Sequence, residues 1–359
     1  MRVLQVITSL STGGAEKLLV DSVPIYQKKD IKMDILSLRK KDTLFKTKLL
    51  QQSNGKLYEL TNKSVYNPIL IFKIIPYLKC YDVVHVHLFP SLYWVALAKW
   101  LSFSKIKIIY TEHSTNNKRR GNFIFKLIDK IIYRSVSKII TIANQVDTNI
   151  KKHLSFKDYK FRLINNGVDL KKFIEASPLD KEIFFSKGDF IITQVSSFRY
   201  PKDQKTVILS LKLLPENIKL LLVGEGSLRK ECEELVKAEG LESRVKFLGV
   251  REDIPNILQT SEVAVLSSFH EGLSLSCLEG MATKPFVASN VPGLVEIVEN
   301  FGLLFEQGNA QDLADKIMSL YKDEDYYQKV KEKCFLRAND FDINNMVDLY
   351  IDEYKKVIK

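Results

Sequence analysis

The chain has 359 residues, of which 45% are hydrophobic and 27% charged, a composition typical of folded globular proteins and unlike that of disordered or fibrous ones. Its length suits two domains of roughly 150 to 200 residues each. Basic residues exceed acidic ones by 11, and the excess lies in the first half. Residues 1–180 carry 31 Lys and Arg against 14 Asp and Glu, whereas residues 181–359 carry 23 against 29. The first half therefore suits an anionic partner such as nucleic acid, acidic lipid or a phosphorylated substrate.

The N-terminal segment MRVLQVITSLSTGG has one Arg and a short apolar run, which predicts a first β-strand and its loop and not a signal peptide. The uncharged stretch 83–98 contains two His and one Pro and is shorter than the ~20 residues of a membrane helix. The four cysteines lie far apart, which is typical of reduced thiols in a cytosolic protein and argues against a zinc site or a disulfide scaffold. We therefore expect a cytoplasmic protein.

Short apolar runs rich in β-branched residues alternate with helix-length segments, in two series. The runs are VLQVI (3–7), MDILSL (33–38), VVHVH (83–87), IKIIYTEH (106–113) and KIITIA (138–143), then FIITQVSS (190–197), KLLLVG (219–224), RVKFLG (244–249), VAVLSS (263–268) and PFVAS (285–289). Such runs predict parallel strands covered on both faces, in two doubly wound α/β sheets. The stretch Ser177–Gly188 is the predicted linker, and helices are expected after Gln311, the last at about 343–358.

Ligands of open parallel sheets bind at the carboxyl ends of the strands. After the first strand, Gly13 and Gly14 open a predicted helix, where backbone amides can approach an anion; a plain tight turn is the alternative. The run 223–229 has two glycines of a GxGxxG pattern, but Arg229 stands at the third position. Hydride transfer with a nicotinamide cofactor is therefore disfavoured.

Two loops of the second half carry charged residues after strands. Arg199 and Lys202 are cations that suit a diphosphate leaving group, although a solvated loop would have the same composition. Glu271 and Glu279 are eight residues apart and share a helix face if the helix starts early, and Gly272 would then lie at an anion-binding helix start. The alternative for both glutamates is an ordinary surface helix.

Two patterns of the first half remain. We expect His85 and His87 to point to opposite faces of their strand and therefore not to share a metal. Lys126, Lys130, Arg134 and Lys138 recur every four residues beside the apolar residues 123, 127, 128, 131 and 132, with Lys118, Arg119 and Arg120 in the loop before them. This pattern indicates either an amphipathic surface facing anionic lipid or an ordinary helix packed on its sheet.

The chain also resembles the retaining GT-B glycosyltransferases of the group 1, or family four, type. The resemblance rests on these segments: GGAE (13–16), HVH (85–87), TEH (111–113), NNGVD (165–169), FRYPKDQ (198–204), VGEGSLRKE (223–231), VKFLGVREDIPNIL (245–258), HEGLSLSCLEGMA (270–282), NVPGLVEIV (290–298) and GLLFEQGNAQDLA (302–314). It implies two Rossmann-like domains facing a central cleft. Residues 1–178 would bind the acceptor, residues 179–340 the nucleotide sugar, and a helix within 341–359 would cross back to the first domain.

The resemblance assigns donor-side roles in the second half. Glu279 would hold the ribose hydroxyls and Glu271 the hydroxyls of the transferred sugar, while Lys202 would bind the diphosphate. Ser197 stands where the family has an arginine, and Arg199 is the candidate to replace it. The remaining donor contacts would come from backbone near Gly249, Val250, Arg251, Gly272, Leu273 and Ser274.

In the first half, Gly13 and Gly14 would approach the donor phosphate, and His113 would lie near the acceptor and the donor sugar. Glu16, His85 and His87 would lie on the acceptor side. No resident cofactor or metal is expected, since no DxD motif follows a predicted strand and Asp323-Glu324-Asp325 lies in the helical C-terminal region. Cations and helix dipoles would then neutralise the diphosphate.

The predicted activity is metal-independent transfer, with retention, from a UDP- or GDP-linked sugar to a lipid-linked or polysaccharide acceptor of a bacterial surface glycan. Two alternatives are a soluble phosphorylated acceptor and an inactive sugar-nucleotide-binding protein. We expect peripheral association with the inner face of the membrane. Nucleic acid is not an expected partner, because no nucleic-acid-binding motif accompanies the positive charge.

Overall fold

The computed structural model describes residues 1–11, 13–114 and 121–359, and Lys118, Arg119 and Arg120 of the basic loop lie outside these ranges. The chain forms two compact units. Unit 1 comprises Met1–Gly167 and Ile343–Lys359, and unit 2 comprises Val168–Asp342.

The strands are β1 (Arg2–Ile7), β2 (Lys32–Arg39), β3 (Leu57–Thr61), β4 (Val83–His87), β5 (Lys107–Glu112), β6 (Lys138–Thr141), β7 (Phe161–Leu163), β8 (Phe190–Val195), β9 (Ile218–Val223), β10 (Val245–Gly249), β11 (Val263–Leu266), β12 (Phe286–Ser289) and β13 (Leu303–Phe305). The α-helices are α1 (Gly14–Lys28), α2 (Leu44–Gln52), α3 (Leu70–Ile74), α4 (Ser91–Leu101), α5 (Phe123–Arg134), α6 (Asn144–Leu154), α7 (Leu170–Ile174), α8 (Gln204–Ser210), α9 (Arg229–Ala238), α10 (Ile254–Thr260), α11 (Leu275–Met281), α12 (Val295–Val298), α13 (Ala310–Lys322), α14 (Glu324–Asn339) and α15 (Ile343–Ile358).

Each unit is built on one parallel sheet. Unit 1 has the strand order β3-β2-β1-β4-β5-β6-β7, and unit 2 has the order β10-β9-β8-β11-β12-β13. The central strands β1, β4, β8, β9 and β11 are rich in apolar residues and buried along most of their length, since helices cover both faces of each sheet. The two doubly wound Rossmann-like sheets that the apolar runs predict are thus confirmed.

Short polar side chains begin several of the helices. Asn122, Asp203, Asn309 and Asp323 each accept a hydrogen bond from a backbone amide in the first turn of the helix that follows. A cap of this kind stabilises a helix by about 1 kcal/mol. The acidic run that begins at Asp323 is therefore a helix start.

The structure corrects the predicted domain boundary. Unit 2 begins at Val168, so the predicted linker Ser177–Gly188 lies inside it, and 1–178 and 179–340 are not the bounds of the two units. The reason is local packing: Leu170 and Phe173 of α7 are buried, and the carbonyl of Phe173 accepts a 2.8 Å hydrogen bond from the side chain of Gln259 on α10. The last helix, α15, belongs to unit 1.

Candidate active site

The strand order places a topological switch point in each unit. Strand order reverses between β1 and β4 in unit 1 and between β8 and β11 in unit 2. Loops that leave neighbouring strands at such a point diverge and open a crevice, which is where open α/β sheets bind ligands.

In unit 2, backbone hydrogen bonds fasten together the loops after β8, β9, β11 and β12. The amide of Phe198 donates to the carbonyl of Glu225 at 3.0 Å, and the amide of Phe269 donates to that of Pro201 at 2.8 Å. The amide of Glu271 donates to the carbonyl of Pro292 at 3.4 Å, and Gly293, with φ +89°, allows this approach because a Cβ there would lie 2.4 Å from the carbonyl oxygen of Glu271. These loops therefore hold their side chains in fixed relative positions.

Lys202 and Glu271 meet at the switch point of unit 2. The ammonium group of Lys202 forms an ion pair with Oε1 of Glu271, and the two side chains are only 15% and 10% exposed. Lys202 follows β8 and Glu271 follows β11, the two strands between which the order reverses. The pair thus brings together a cation and a carboxylate predicted from sequence, 69 residues apart in the chain.

The helix after this loop starts later than the spacing of the glutamates suggests. α11 begins at Leu275, with Ser274 at its N-cap, so Glu271 and Gly272 precede the helix and only Glu279 lies on it. The prediction that Glu271 and Glu279 share a helix face is therefore wrong. Glu279 is buried, at 3% exposure, while Leu273 and Ser274 are buried in the loop.

The remaining predicted donor residues lie at the same edge of the sheet. Gly249 ends β10 with φ +66° and is followed by the exposed Val250. The guanidinium of Arg251 donates to both carboxylate oxygens of Asp253, at 2.8 and 2.6 Å. Arg199 is exposed, and its Nε donates to Oγ of Ser197 at 3.2 Å, so these two residues are in contact.

In unit 1, the predicted histidines form one buried cluster. The rings of His85 and His87 are 4.2 Å apart, and Nδ1 of His87 lies 3.0 Å from Nε2 of His113, which follows β5. The expectation that His85 and His87 point to opposite faces is wrong, because side chains two residues apart on a strand share a face. Gln5 of β1 joins the cluster through its Oε1, 2.7 Å from Nε2 of His87.

Burial keeps these rings uncharged. Removal from water lowers the pKa of His85 to about 3 and that of His113 to about 4, and it lowers the pKa of His87 well below its usual value. The cause is that a low-dielectric site disfavours the imidazolium form, and each positive neighbour would add repulsion. At neutral pH the cluster is therefore a hydrogen-bonded network of neutral groups.

Beside this cluster, a cavity of about 330 Å³ opens at the carboxyl ends of β1, β4 and β5. It is lined by Thr8, Ser9, Glu16, Leu88, Phe89, Tyr110, Glu112 and Ser114. Glu16 lies next to Gly13, which caps α1, and Gly14 is the first residue of that helix. Glu112 is buried and accepts hydrogen bonds from the amide of Ser114 and the hydroxyl of Tyr133, at 3.1 and 3.2 Å.

Sequence reasoning missed Gln5, Glu112 and Tyr354 as members of these two sites. Glu112 stands inside the TEH segment, so its place at a strand end was a usable signal. Tyr354 contacts His85 across 269 residues of chain, and no local pattern indicates that contact.

In the structure, most of the apolar residues of the predicted basic helix, α5, are exposed and do not pack on the sheet. Phe123, Ile124, Leu127 and Ile131 of α5 are 48 to 72% exposed, and the core receives Asp129, Ile132 and Tyr133 instead. Lys138 is not on this helix: it begins β6 and donates to the carbonyl of Tyr159 at 2.6 Å.

The part of the chain that the structure describes has neither a metal-binding group of side chains nor a membrane-spanning helix. Within residues 1–11, 13–114 and 121–359, no three His, Cys, Asp or Glu side chains form a group that could hold a metal ion. Nor does any helix of the same ranges have the length and apolar character to cross a membrane.

Comparisons with known proteins agree on one family. The family described as "Glycosyl transferases group 1" matches residues 177–335, and "Glycosyltransferase Family 4" matches residues 12–172. An uncharacterised glycosyltransferase of Methanocaldococcus jannaschii is 32% identical over 70% of this chain and 68% of its own length. The UDP-Gal:alpha-D-GlcNAc-diphosphoundecaprenol alpha-1,3-galactosyltransferase of Escherichia coli is 27% identical over 81% of this chain and 80% of its own length.

Among solved structures, Anabaena HepE in complex with UDP-glucose superposes with a TM-score of 0.87. It covers 99% of this chain and 100% of its own, at 23% identity. This likeness shows that the two chains share the GT-B fold.

Proposed function

This chain belongs to the group 1 glycosyltransferases, and from that premise we propose that it transfers a sugar from a UDP- or GDP-linked donor to a lipid-linked glycan acceptor, with retention and without a metal. The chain is thus an enzyme of bacterial surface glycan synthesis. The observation that carries the proposal is the Lys202–Glu271 ion pair at the switch point of unit 2.

Lys202 supplies the positive charge that the leaving diphosphate requires. Its ammonium is largely withdrawn from solvent, where a charge stabilises a developing anion more strongly than in water. When the donor binds, the ammonium exchanges Glu271 for a phosphate oxygen, and Glu271 turns to the hydroxyls of the sugar. Arg199, which is exposed beside Ser197, is the second cation of this site.

Glu279 and the backbone after β10 hold the nucleoside. Glu279 accepts from the ribose hydroxyls, and the backbone near Gly249 and Val250 contacts the base, which Gly249 permits by its left-handed conformation. In the transfer step, the bond from the anomeric carbon to the diphosphate oxygen breaks. A bond to the acceptor oxygen then forms on the same face of the sugar, and the acceptor proton passes to the departing phosphate.

The cavity of unit 1 suits the acceptor sugar. Its lining combines hydroxyls of Thr8, Ser9 and Ser114 with the rings of Phe89 and Tyr110 and two carboxylates. Aromatic rings pack on the apolar faces of sugars, and hydroxyls and carboxylates take up the hydrogen bonds of their edges. His113, a member of the histidine cluster beside this cavity, is the group that we assign nearest to the reacting sugar.

The acceptor's lipid explains the exposed side of α5. Its apolar residues Phe123, Leu127 and Ile131 face solvent, and Lys126, Lys130 and Arg134 form the neighbouring stripe. An amphipathic helix of this composition lies in the interface of an anionic bilayer, with its apolar side chains among the acyl chains. The same surface brings unit 1 to a membrane-bound acceptor.

The test is a panel of purified UDP-, GDP- and deoxythymidine diphosphate-linked sugars, scored for binding by calorimetry and for slow hydrolysis. UDP-glucose and UDP-galactose come first, since HepE was solved in complex with UDP-glucose and the Escherichia coli relative is a UDP-Gal galactosyltransferase. We expect at least one to bind and to be hydrolysed. Binding without any turnover, with or without lipid extracts, would favour the inactive sugar-nucleotide-binding alternative, and turnover with a soluble sugar phosphate alone would favour the phosphorylated acceptor.

A further inference from the structure

The histidine cluster of unit 1 contains a hydrogen-bond chain whose direction follows from chemistry alone. It runs from Gln5 on β1 through His87 on β4 to His113 after β5. A neutral imidazole carries one proton on either of its two nitrogens, and the partner of one nitrogen decides the state of the other.

Met33 fixes the orientation of the Gln5 amide. Nε2 of Gln5 lies 3.4 Å from the sulfur of Met33 and 3.2 Å from the hydroxyl of Tyr354. A thioether sulfur has no proton to donate, so the NH₂ group and not the carbonyl oxygen of the amide must face it. Oε1 of Gln5 therefore faces His87, as an acceptor.

That acceptor fixes the proton of His87. Because Oε1 of Gln5 lies 2.7 Å from Nε2 of His87, this nitrogen carries the proton and Nδ1 is bare. A ring turned by 180° would present C–H groups to both neighbours and lose both bonds. The burial of His87, at 7% exposure, also keeps the ring in its neutral form.

The bare nitrogen of His87 then fixes the proton of His113. Nδ1 of His87 can only accept, so Nε2 of His113, 3.0 Å away, must donate. Nδ1 of His113 is left without a proton, and within the described ranges it has no hydrogen-bond partner. His113 is half-buried and lies directly before Ser114 of the cavity lining.

We propose that Gln5 and His87 are positioning residues that hold His113 in the Nε2–H tautomer, so that its Nδ1 accepts a hydrogen bond from a hydroxyl of the sugar substrate. The part played by His113 toward substrate rests on the proposed function. Its tautomer does not, because every contact in the chain from Gln5 to His113 is within the protein.

The C-terminal helix takes part in this arrangement. The hydroxyl of Tyr354 on α15 accepts from Nε2 of Gln5 and lies 2.7 Å from Nδ1 of His85. Nε2 of His85 lies 2.8 Å from Oγ1 of Thr111, within hydrogen-bond distance. Tyr354 therefore supports the amide that orients His87, and the helix from the end of the chain contributes to the acceptor-side site.

The experiment is two-bond ¹H–¹⁵N spectroscopy of the full-length protein with ¹⁵N-labelled histidine, at pH 7.5 and without ligand. His113→Asn assigns the His113 signals by their loss. We expect Nε2 of His113 to give a protonated-nitrogen shift and Nδ1 a bare-nitrogen shift. In Gln5→Met, which keeps the size of the side chain but removes the acceptor, both nitrogens should move toward intermediate, averaged shifts.

A matched control variant separates the effect of the Gln5–His87–His113 hydrogen bonds from a general disturbance of packing in the histidine cluster. Tyr350→Phe removes the hydroxyl that lies 3.1 Å from Oγ1 of Thr111, in the branch that does not lead to His113. It should alter the signals of His85 and leave those of His113 in place. If Gln5→Met does not fold, His87→Leu removes the acceptor of His113 directly and should produce the same averaging.

Kinetics complete the test, with the donor that the nucleotide-sugar panel identifies. Gln5→Met should lower kcat by about 10-fold and leave KM for the donor nearly unchanged, because the nucleoside and the diphosphate of the donor are assigned to unit 2 and His113 is assigned only to the reacting sugar. A protonated Nδ1 on His113 in the unaltered protein, an Nε2–H tautomer that persists in Gln5→Met, or averaged signals with unchanged kcat would each overturn the proposal. A chain that hydrolyses no nucleotide sugar would overturn the proposed function, and the spectra would still decide the tautomer.

Discussion

Lys202 and Glu271 neutralise each other where neither has full access to water. Burying a single charge is costly, and a partner within hydrogen-bond distance offsets much of that cost. The pair therefore keeps an ammonium group at the strand ends of unit 2, with its charge available to an anion that can compete with Glu271. A diphosphate, with more than one negative charge, is such an anion.

Lys202→Ala should lower kcat by roughly 30-fold, which is about 2 kcal/mol of transition-state stabilisation, because negative charge develops on the leaving diphosphate. Lys205→Ala is the matched control: Lys205 is 48% exposed and pairs with Glu231 on the neighbouring helix. Its kcat should stay within twofold of the unaltered enzyme. Equal losses from the two changes, measured as steady-state nucleotide release, would contradict the assignment of Lys202.

Glu279 and Glu271 should separate binding from turnover. Glu279→Gln should weaken binding of the nucleoside diphosphate itself, since the ribose contact is present with or without the sugar. Glu271→Gln should leave that binding nearly unchanged and lower turnover, because its contact is to the transferred sugar. Titration calorimetry with UDP and GDP, followed by hydrolysis rates, measures both effects, and a Glu271→Gln variant that loses nucleotide affinity as strongly as Glu279→Gln would refute this division.

The histidine cluster should make the protein less stable as the pH falls below about 6.5. Burial lowers the pKa values of His85 and His87, so on acidification these histidines bind protons in the unfolded chain but not in the native cluster. Stability is then full above the unfolded pKa and is lost on acidification, by about 1.4 kcal/mol per histidine between pH 7.5 and 5.5. Urea unfolding at these two pH values measures the change. His87→Gln should show a smaller decrease, and an unfolding free energy that does not fall in the unaltered protein would contradict the prediction.

Among the elements, α5 has three distinct faces. Asp129 accepts a hydrogen bond from the hydroxyl of Tyr93 and lies 2.9 Å from Nε2 of His153 on α6, which ties the helix to its neighbours. The basic stripe and the exposed apolar stripe occupy the other two faces. A large apolar face left in water is unfavourable unless it has an occupant, and a bilayer suits both free faces at once.

We expect the protein to pellet with anionic vesicles and to be partly released by salt, since screening weakens the attraction of Lys126, Lys130 and Arg134 for lipid headgroups. Changing these three to Glu should reduce pelleting, and so should the pair Leu127→Ser and Ile131→Ser, which removes apolar area. The control is Ile183→Ser in unit 2, where Ile183 is 61% exposed. Donor binding should be intact in all variants.

The outcomes of the vesicle experiment distinguish apolar insertion of α5, binding by charge alone and a soluble acceptor. Loss of binding from the charge variant alone would mean that the apolar face of α5 is not inserted. Pelleting that is indifferent to both variants would refute the membrane role of α5. A protein that binds no vesicles at all would favour a soluble phosphorylated acceptor.

Elements were predictable from the sequence where their pattern was long and uniform. The run at 83–87 coincides with β4 and the run at 190–197 contains β8, since strands covered on both faces are rich in apolar residues. β3 is half-buried along its length, and β7 and β13 have three residues each, so no run marked them. The start of α11 was misplaced because Glu271 and Glu279 have helical spacing although the chain bends into a helix only at Leu275.

At the scale of the whole molecule, the six strands of unit 2 repeat the order of the first six strands of unit 1, and the proposed function assigns the two switch points to different substrates. That Lys202 and Glu271 lie at one edge of the sheet was predictable, because residues that follow parallel strands are carried to that edge. The contacts of Gln5 with His87 and of Tyr354 with His85 were not predictable from the sequence. They depend on the register of β1 against β4 and on the packing of α15 in unit 1, and neither is visible in a local pattern.

The central claim is that this chain breaks the sugar–diphosphate bond of a nucleotide sugar with protein cations in place of a metal. It is tested most directly by the rate of nucleoside diphosphate release from the donor that binds, measured in EDTA and then with added Mg²⁺ or Mn²⁺. We expect the same rate in both conditions, because Lys202 and Arg199 would balance the leaving charge. Turnover that appears only after the divalent ion is added would contradict it.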